Sequence, residues 1–226
     1  KSVDDTAQVA IGGVVMPSPL RLQWLDRCLL YYKQEYDGET MPIDVWNIHM
    51  QILREKECKG VPCDDCWGCG VPFGLFDLDD GECAEGKLYD IQDNCSVEIF
   101  EQLIRDFCFW LNGKEERDKP VIITEYGVLM PSEYLGSSDD LDQRIIEGET
   151  KVVEFMQGTF DYMLHTTDSA LGWAHDEGRL IQRWAWFSLN VPFTWVDSVP
   201  SGYNGWLYNW QDTPPHLTVF GEAYKE

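Results

Sequence analysis

Four continuous apolar runs, each followed by an amphipathic segment, are the feature that most limits how this chain folds. The runs cover 7–16, 42–50, 120–129 and 180–189. Continuous apolar runs, rather than strictly alternating ones, are typical of parallel strands that helices cover. The order therefore predicts a β-α-β-α-β-α-β-α chain with a parallel sheet.

The segments between the runs carry helix signals. Ser18 and Pro19 open the first predicted helix, Ser96 is the predicted N-cap of the second, and the third spans about 142–165. A last helix is predicted from Leu217 to the end of the chain. Apolar positions recur at spacings of three and four in these segments, as one buried helix face requires.

Two α/β architectures fit this order. A doubly wound nucleotide-binding fold is the weaker one, because no glycine-rich phosphate loop follows any run, and Gly12 and Gly13 lie inside the first. In a (β/α) barrel, polar residues cluster at the carboxyl ends of the strands, as they do here. We therefore predict an α/β fold of the (β/α)8 TIM-barrel type.

Charge and composition exclude several classes of function. The chain has 226 residues and a formal net charge of −23, which would repel a nucleic-acid backbone. No uninterrupted apolar run is long enough to span a membrane. At 44% hydrophobic residues, the chain is too apolar to be disordered.

Glu125 is the leading candidate for a catalytic residue. It follows Val121–Thr124 at the end of an apolar strand, where a carboxylate is costly to bury unless it is paired. Catalytic groups of barrel enzymes lie at such strand ends. The alternative is a structural Glu that hydrogen-bonds a neighbouring strand.

Asn47 and His49 occupy the equivalent place on the second strand and share one face, since side chains alternate along a strand. Both are candidate substrate-binding residues, although a lone His at a strand end is commonly structural. Trp184 and Trp186 share a face of the fourth strand. A Trp at a barrel mouth suits the face of a sugar ring, and core packing is the alternative.

Three motifs of the predicted strands follow one another in the order DVWNIH, PVIITEYGVLMP and RWAWFSL. They resemble the sixth, seventh and eighth strands of clan A glycoside hydrolases. They are most similar to bacterial secreted proteins described as having a glycosyl hydrolase catalytic core. AQVAIGG would be the fifth strand, and LTVFGEAYKE is similar to the last helix of such barrels. The resemblance implies that residues 1–226 supply strands 5–8, the C-terminal part of the barrel.

The resemblance implies a retaining hydrolase of a poly- or oligosaccharide that needs no cofactor or metal, with Glu125 as nucleophile. His49, Trp186 and Tyr126 would be sugar-binding residues. The acid/base Glu of the family ends the fourth strand, so we expect it upstream, in a missing N-terminal half-barrel of the same precursor or of another chain. The alternative is an inactive barrel that serves as a carbohydrate-binding or assembly module at a surface.

A cysteine-rich acidic insertion is predicted at 54–95. It contains Cys58, Cys63, Cys66, Cys69, Cys83 and Cys95. Disulfides that stabilise a long loop are the favoured interpretation; zinc and iron–sulfur sites fit the spacing and the acidic flanks less well. The acidic run at 77–82 lacks the spacing of a calcium loop. Cys28 and Cys108 lie on apolar helix faces and are predicted free thiols.

Disulfides and an acidic surface indicate an extracellular protein, secreted or at the cell surface. The insertion follows the second predicted strand, on the active-site side of a barrel, where it is also a candidate surface for assembly. A complete barrel takes about 250 residues, and four strands leave two open sheet edges. We therefore expect this chain alone to be less than a full folding unit.

Overall fold

The computed structural model describes residues 4–57, 69–71, 86–190, 194–196, 199–201 and 204–225. The helices are α1 (Pro19–Glu35), α2 (Val97–Gly113), α3 (Ser132–Leu135), α4 (Leu141–His165) and α5 (Val219–Lys225), with 3-10 turns at Ile91–Cys95 and Ala174–Asp176. The strands are β1 (Trp46–Met50), β2 (Glu55–Glu57), β3 (Cys69–Val71), β4 (Val121–Tyr126), β5 (Arg183–Trp186), β6 (Thr194–Val196), β7 (Val199–Ser201), β8 (Tyr208–Asn209) and β9 (His216–Leu217).

The three long helices begin where polar caps stand in the sequence. The Ser18 and Ser96 hydroxyls accept hydrogen bonds from the first turns of α1 and α2, so both predicted helix starts are confirmed. The Asp140 carboxylate caps α4 in the same way. None of the described helices combines the length and the apolarity needed to cross a bilayer.

A three-stranded parallel sheet with β4 in the centre forms the middle of the fold. The first predicted strand, 7–16, contributes two isolated parallel bridges, Ala10 to Val45 and Val14 to Ile48. Gly12 and Gly13 interrupt it, since glycine packs no side chain on a neighbouring strand. The four runs therefore lie side by side in chain order, and the predicted parallel pairing of β1, β4 and β5 is confirmed.

Helices cover one face of this sheet and form the core with it. On β1, Trp46 is fully buried and lies edge-on to Trp110 of α2, with ring centroids 5.3 Å apart. Phe100 of α2 is fully buried and packs against Tyr126 of β4 and Phe155 of α4. This aromatic layer fixes α2 and α4 on the sheet.

The second face of the sheet is open in the part of the chain that the structure describes. Thr124, Arg183 and Ala185 are exposed there, and Asn47 and His49 are partly exposed. A closed (β/α)8 barrel would bury this face. The described residues form an open sheet, and the barrel stays a prediction.

Glu55 fastens the base of the predicted insertion. It is fully buried and accepts hydrogen bonds from the Ser18 hydroxyl at 2.7 Å, the Arg21 Nε at 3.1 Å and the Lys87 backbone N–H at 3.2 Å. The Glu55 backbone N–H donates to the Lys87 carbonyl at 2.7 Å. The chain therefore leaves for the insertion and returns from it at the same point, beside α1.

The aromatic layer predicts a strong effect of Phe100→Ala. Removing a fully buried ring leaves a cavity among Tyr126, Phe155 and Tyr162, which should lower the free energy of unfolding by about 3–5 kcal/mol. Urea unfolding monitored by circular dichroism measures this change.

Phe109→Ala on the same helix is the matched control. Phe109 is 69% exposed, so its loss should change the free energy of unfolding by less than about 0.5 kcal/mol. Equal effects of the two substitutions would contradict the described position of α2.

Candidate functional site

The pairing of β1 with β4 positions Glu125. Ile48 pairs with Ile123, but the next pair is His49 with Glu125, so Thr124 is an extra residue on β4. Such a bulge turns the following side chains and sharpens the local twist of the strand. It sets Glu125 directly opposite His49 at the carboxyl end of the sheet.

Glu125 contacts His49, a residue of β1, and Gln51, the residue that directly follows β1. The Gln51 Nε2 donates to Glu125 Oε1 at 3.0 Å, and the His49 Nδ1 lies 3.8 Å from Glu125 Oε2. Gln51 is only 2% exposed, whereas the Glu125 and His49 side chains are 37% and 26% exposed. The buried amide therefore orients a carboxylate that is still partly exposed.

Asn47 and Thr124 complete this cluster, which we call the Glu125 site (Asn47, His49, Gln51, Thr124 and Glu125). The Asn47 Oδ1 accepts from the Thr124 hydroxyl at 2.9 Å and from the Thr124 backbone N–H at 3.3 Å. These bonds cap the bulge and fix the side chain before Glu125.

Glycine at position 13 lets the neighbouring segment approach the site. A Cβ on Gly13 would lie 2.6 Å from the His49 Cδ2 and 3.1 Å from the Asn47 Nδ2. Only glycine leaves room for both side chains at this distance. The segment at 10–14 therefore forms one wall of the site, against His49 and Asn47.

The chemistry available to the Glu125 site is that of an oriented, accessible carboxylate beside an imidazole and an amide. Such a carboxylate attacks an electrophilic carbon or accepts hydrogen bonds from ligand hydroxyls. No group of three or more His, Cys, Asp or Glu residues suited to a metal ion occurs among the described residues.

The structure places Tyr126, Trp184 and Trp186 on the opposite, helix-covered face. Tyr126 is fully buried, its hydroxyl lies 3.4 Å from that of Thr159, and burial raises its pKa well above the ordinary value. The Trp186 indole N–H donates to the Gly205 carbonyl at 2.7 Å, and Trp184 packs against Phe160. Of the predicted site residues, Asn47, His49 and Glu125 come together, whereas these three aromatic residues join the core.

Sequence reasoning missed Gln51 and Thr124. Alternation along the second strand gives Asn47, His49 and then Gln51, so the signal for Gln51 was present. Alternation along β4 also places Thr124 on the face of Ile122, which pairs with Asn47, whereas Glu125 reaches that face only because of the bulge.

Most of the cysteines of the predicted disulfide cluster lie outside the described residues. These are Cys58, Cys63, Cys66 and Cys83, and Cys69 is described only by its backbone in β3. Cys95 is a free thiol, and burial raises its pKa to about 12. The disulfide framework therefore stays a prediction.

Cys28 and Cys108 are free thiols, as predicted. Cys108 is buried in α2, and its desolvation raises the pKa to about 12. A thiol with so high a pKa carries almost no thiolate at neutral pH, which makes Cys108 an inert core residue.

Comparisons with known proteins leave the assignment to the geometry. No known protein family, no curated protein and no solved structure matches the chain.

The close approach at Gly13 predicts a matched pair of variants. Gly13→Ala should displace the His49 ring, because the new methyl group would overlap its Cδ2 and Nε2 atoms. The imidazole cross-peaks of His49 in long-range proton–nitrogen NMR spectra should shift. Gly12→Ala meets no atom within 4 Å and should leave them in place. Unmoved His49 signals in Gly13→Ala would contradict the described wall of the site.

Proposed function

We propose that this chain carries the nucleophile half of a retaining glycoside hydrolase that acts on a poly- or oligosaccharide, with Glu125 as the nucleophile. One observation carries the proposal: Glu125 ends the central parallel strand on the open face and is oriented by a buried amide. Catalytic groups of (β/α) barrel enzymes lie at strand ends of this kind. The resemblance of the strand motifs to clan A glycoside hydrolases adds to it.

The proposed reaction has two displacements. A Glu125 carboxylate oxygen bonds to the anomeric carbon while the glycosidic C–O bond breaks, and a second carboxyl group protonates the leaving oxygen. Water, deprotonated by that second group, then attacks the same carbon and releases Glu125 with the sugar configuration retained. Gln51 would keep the attacking oxygen aligned, and His49 and Asn47 would bind sugar hydroxyls.

The second carboxyl group requires a partner segment. In retaining enzymes the two carboxyl groups lie about 5–5.5 Å apart, and the polar groups recorded against Glu125 are the amide of Gln51 and the imidazole of His49. An exposed sheet face and the outer edge of β5 offer a surface that further parallel strands would cover. We propose that a half-barrel, in the same precursor or on another chain, supplies those strands and the acid/base.

An inactive, carbohydrate-binding or assembly module is the second candidate function. It is favoured by the same set of contacts, since a Glu held by an amide and an imidazole is complete as a hydroxyl-binding group without a second carboxyl. In this role, the insertion that begins next to Glu55 would be a surface for assembly. The carbohydrate ligand is common to both candidates.

We also propose that the protein is secreted or exposed at the cell surface. The cysteine-rich composition of the insertion supports this location, because disulfides persist in oxidising compartments. The net charge of −23 suits a soluble exterior and disfavours a nucleic-acid partner.

The nucleophile assignment predicts the behaviour of Glu125→Gln. An amide oxygen is too weak a nucleophile to replace the carboxylate. Hydrolysis of the polysaccharide that the unmodified protein cleaves should therefore fall by ~10³-fold or more, with the fold intact. The release of reducing sugar by the protein together with its proposed partner half-barrel measures this loss of hydrolysis. Glu98→Gln, which changes an exposed carboxylate on α2, is the control and should retain activity. Unchanged hydrolysis in Glu125→Gln would contradict the nucleophile role.

The need for a partner segment predicts how the 226-residue chain behaves alone. In the part of the chain that the structure describes, one sheet face and the outer edge of β5 are uncovered, so we expect the chain to self-associate in sedimentation velocity experiments. Adding the partner half-barrel should convert it to a defined complex. A monomer that unfolds in one cooperative transition would count against a missing half.

A further inference from the structure

The central strand β4 contains one more residue than both of its neighbours at the carboxyl end of the sheet. Between matched pairs, β4 advances from Ile123 to Glu125 while β1 advances from Ile48 to His49. Against β5, the step of β4 from Ile123 to Tyr126 matches a step that is one residue shorter. The bulge is therefore a property of β4 itself and not of a single pairing.

The bulge places two successive side chains on the open face of the sheet. Thr124 is exposed and Glu125 is partly exposed, whereas Ile123 and Tyr126 are fully buried under the helices. Regular alternation would keep Thr124 on the open face and turn Glu125 towards the helices. The accessibility of Glu125 therefore depends on the contacts that stabilise the bulge.

Asn47 of β1 makes such a contact with the extra residue. Its Oδ1 accepts hydrogen bonds from the Thr124 hydroxyl at 2.9 Å and from the Thr124 backbone N–H at 3.3 Å. The extra residue of a bulge is left out of the regular hydrogen-bond ladder, and a backbone N–H without an acceptor destabilises a fold. The Asn47 amide oxygen supplies an acceptor at this point, and it binds the side chain of the same residue as well.

The other polar residues of the Glu125 site have a different task. Gln51 Nε2 lies 3.0 Å from one carboxylate oxygen of Glu125, and His49 Nδ1 lies 3.8 Å from the other. These two residues contact the carboxylate after the strand has already turned it to the open face. Asn47 contacts the residue before it, where the turn is made.

We propose that Asn47 is a positioning residue, which keeps Glu125 on the open face by stabilising the bulge at Thr124. This role uses Oδ1 and leaves the sugar-binding role to Nδ2. Without both hydrogen bonds, β4 returns towards regular alternation, and Glu125 moves away from His49. The consequence for hydrolysis rests on the function proposed for Glu125, whereas the positioning is measured without a substrate.

The test uses His49 in the 226-residue chain to report where Glu125 lies. Glu125→Gln changes a carboxylate that lies 3.8 Å from the His49 Nδ1, so it should shift the His49 signals in long-range proton–nitrogen NMR spectra. The chain has 4 His residues, and His49→Gln identifies the signals of His49. In the Asn47→Leu background, the shift caused by Glu125→Gln should fall to about half or less, as a double-mutant cycle reveals.

Two further variants separate positioning from a general loss of stability. Asn47→Asp keeps an oxygen in the place of Oδ1 and should restore the full shift. Because each shift is a difference within one background, the direct effect of the new carboxylate on His49 cancels. Asn112→Leu changes an exposed Asn on α2 and is the matched control, which should leave the shift unchanged.

A second pair of variants applies if Asn47→Leu does not fold. Thr124→Val removes one exposed hydroxyl at nearly constant shape, and Thr124→Ser keeps the hydroxyl. The shift of the His49 signals caused by Glu125→Gln should be smaller in Thr124→Val and unchanged in Thr124→Ser.

Three outcomes would overturn the inference. The first is an equal response of His49 to Glu125→Gln in the unsubstituted chain, in Asn47→Leu and in Thr124→Val. The second is that Asn47→Asp behaves like Asn47→Leu. The third is that Glu125→Gln leaves His49 unchanged in the unsubstituted chain, since the two residues would then not be neighbours. None of these measurements requires hydrolysis, so a failure of the proposed hydrolase is distinguished from a failure of this inference.

Discussion

The bulged parallel pairing of β1 with β4 is the constraint on which the rest of the structure depends. It pairs His49 with Glu125 instead of Thr124, and Met50 with Tyr126. As a result, Glu125 faces the open side and Tyr126 faces the helices. Had the alternation run without an extra residue, both side chains would have been on the opposite face, with Glu125 towards the helices and Tyr126 towards the open side.

The two faces of the sheet differ in whether helices cover them. The helix-covered face carries the aromatic layer around Phe100 and Tyr126, where the burial of large rings stabilises the fold. The open face carries the Glu125 site and exposed side chains of β5. The same exposure that makes Glu125 accessible also leaves a surface that a further segment would cover, so the proposed chemistry and the proposed partner have one structural cause.

Local patterns in the sequence were enough to predict α1, α2, α4 and α5 and the three strands of the parallel sheet. Ser18 and Ser96 cap helices as expected, and the apolar runs at 42–50, 120–129 and 180–189 contain β1, β4 and β5. The run at 7–16 forms only isolated bridges, because Gly12 and Gly13 offer the sheet no side chains.

The faces of the strands were harder to predict. Alternation shows which residues share a face and does not show which face the helices cover, so Trp184 and Trp186 were assigned to the sugar-binding side although they pack against α4. The grouping of Asn47 with His49 was recovered for the same reason.

The most direct measurement of the central claim is covalent trapping of the nucleophile. A panel of 2-deoxy-2-fluoro glycosyl fluorides accumulates a glycosyl–enzyme in retaining hydrolases, because the 2-fluorine slows both displacements while the good leaving group keeps the first faster than the second. The account predicts that the protein complete with its partner half gains the mass of one sugar on the peptide that contains Glu125. Turnover of a polysaccharide with the adduct on another carboxylate, or without any adduct, would contradict it.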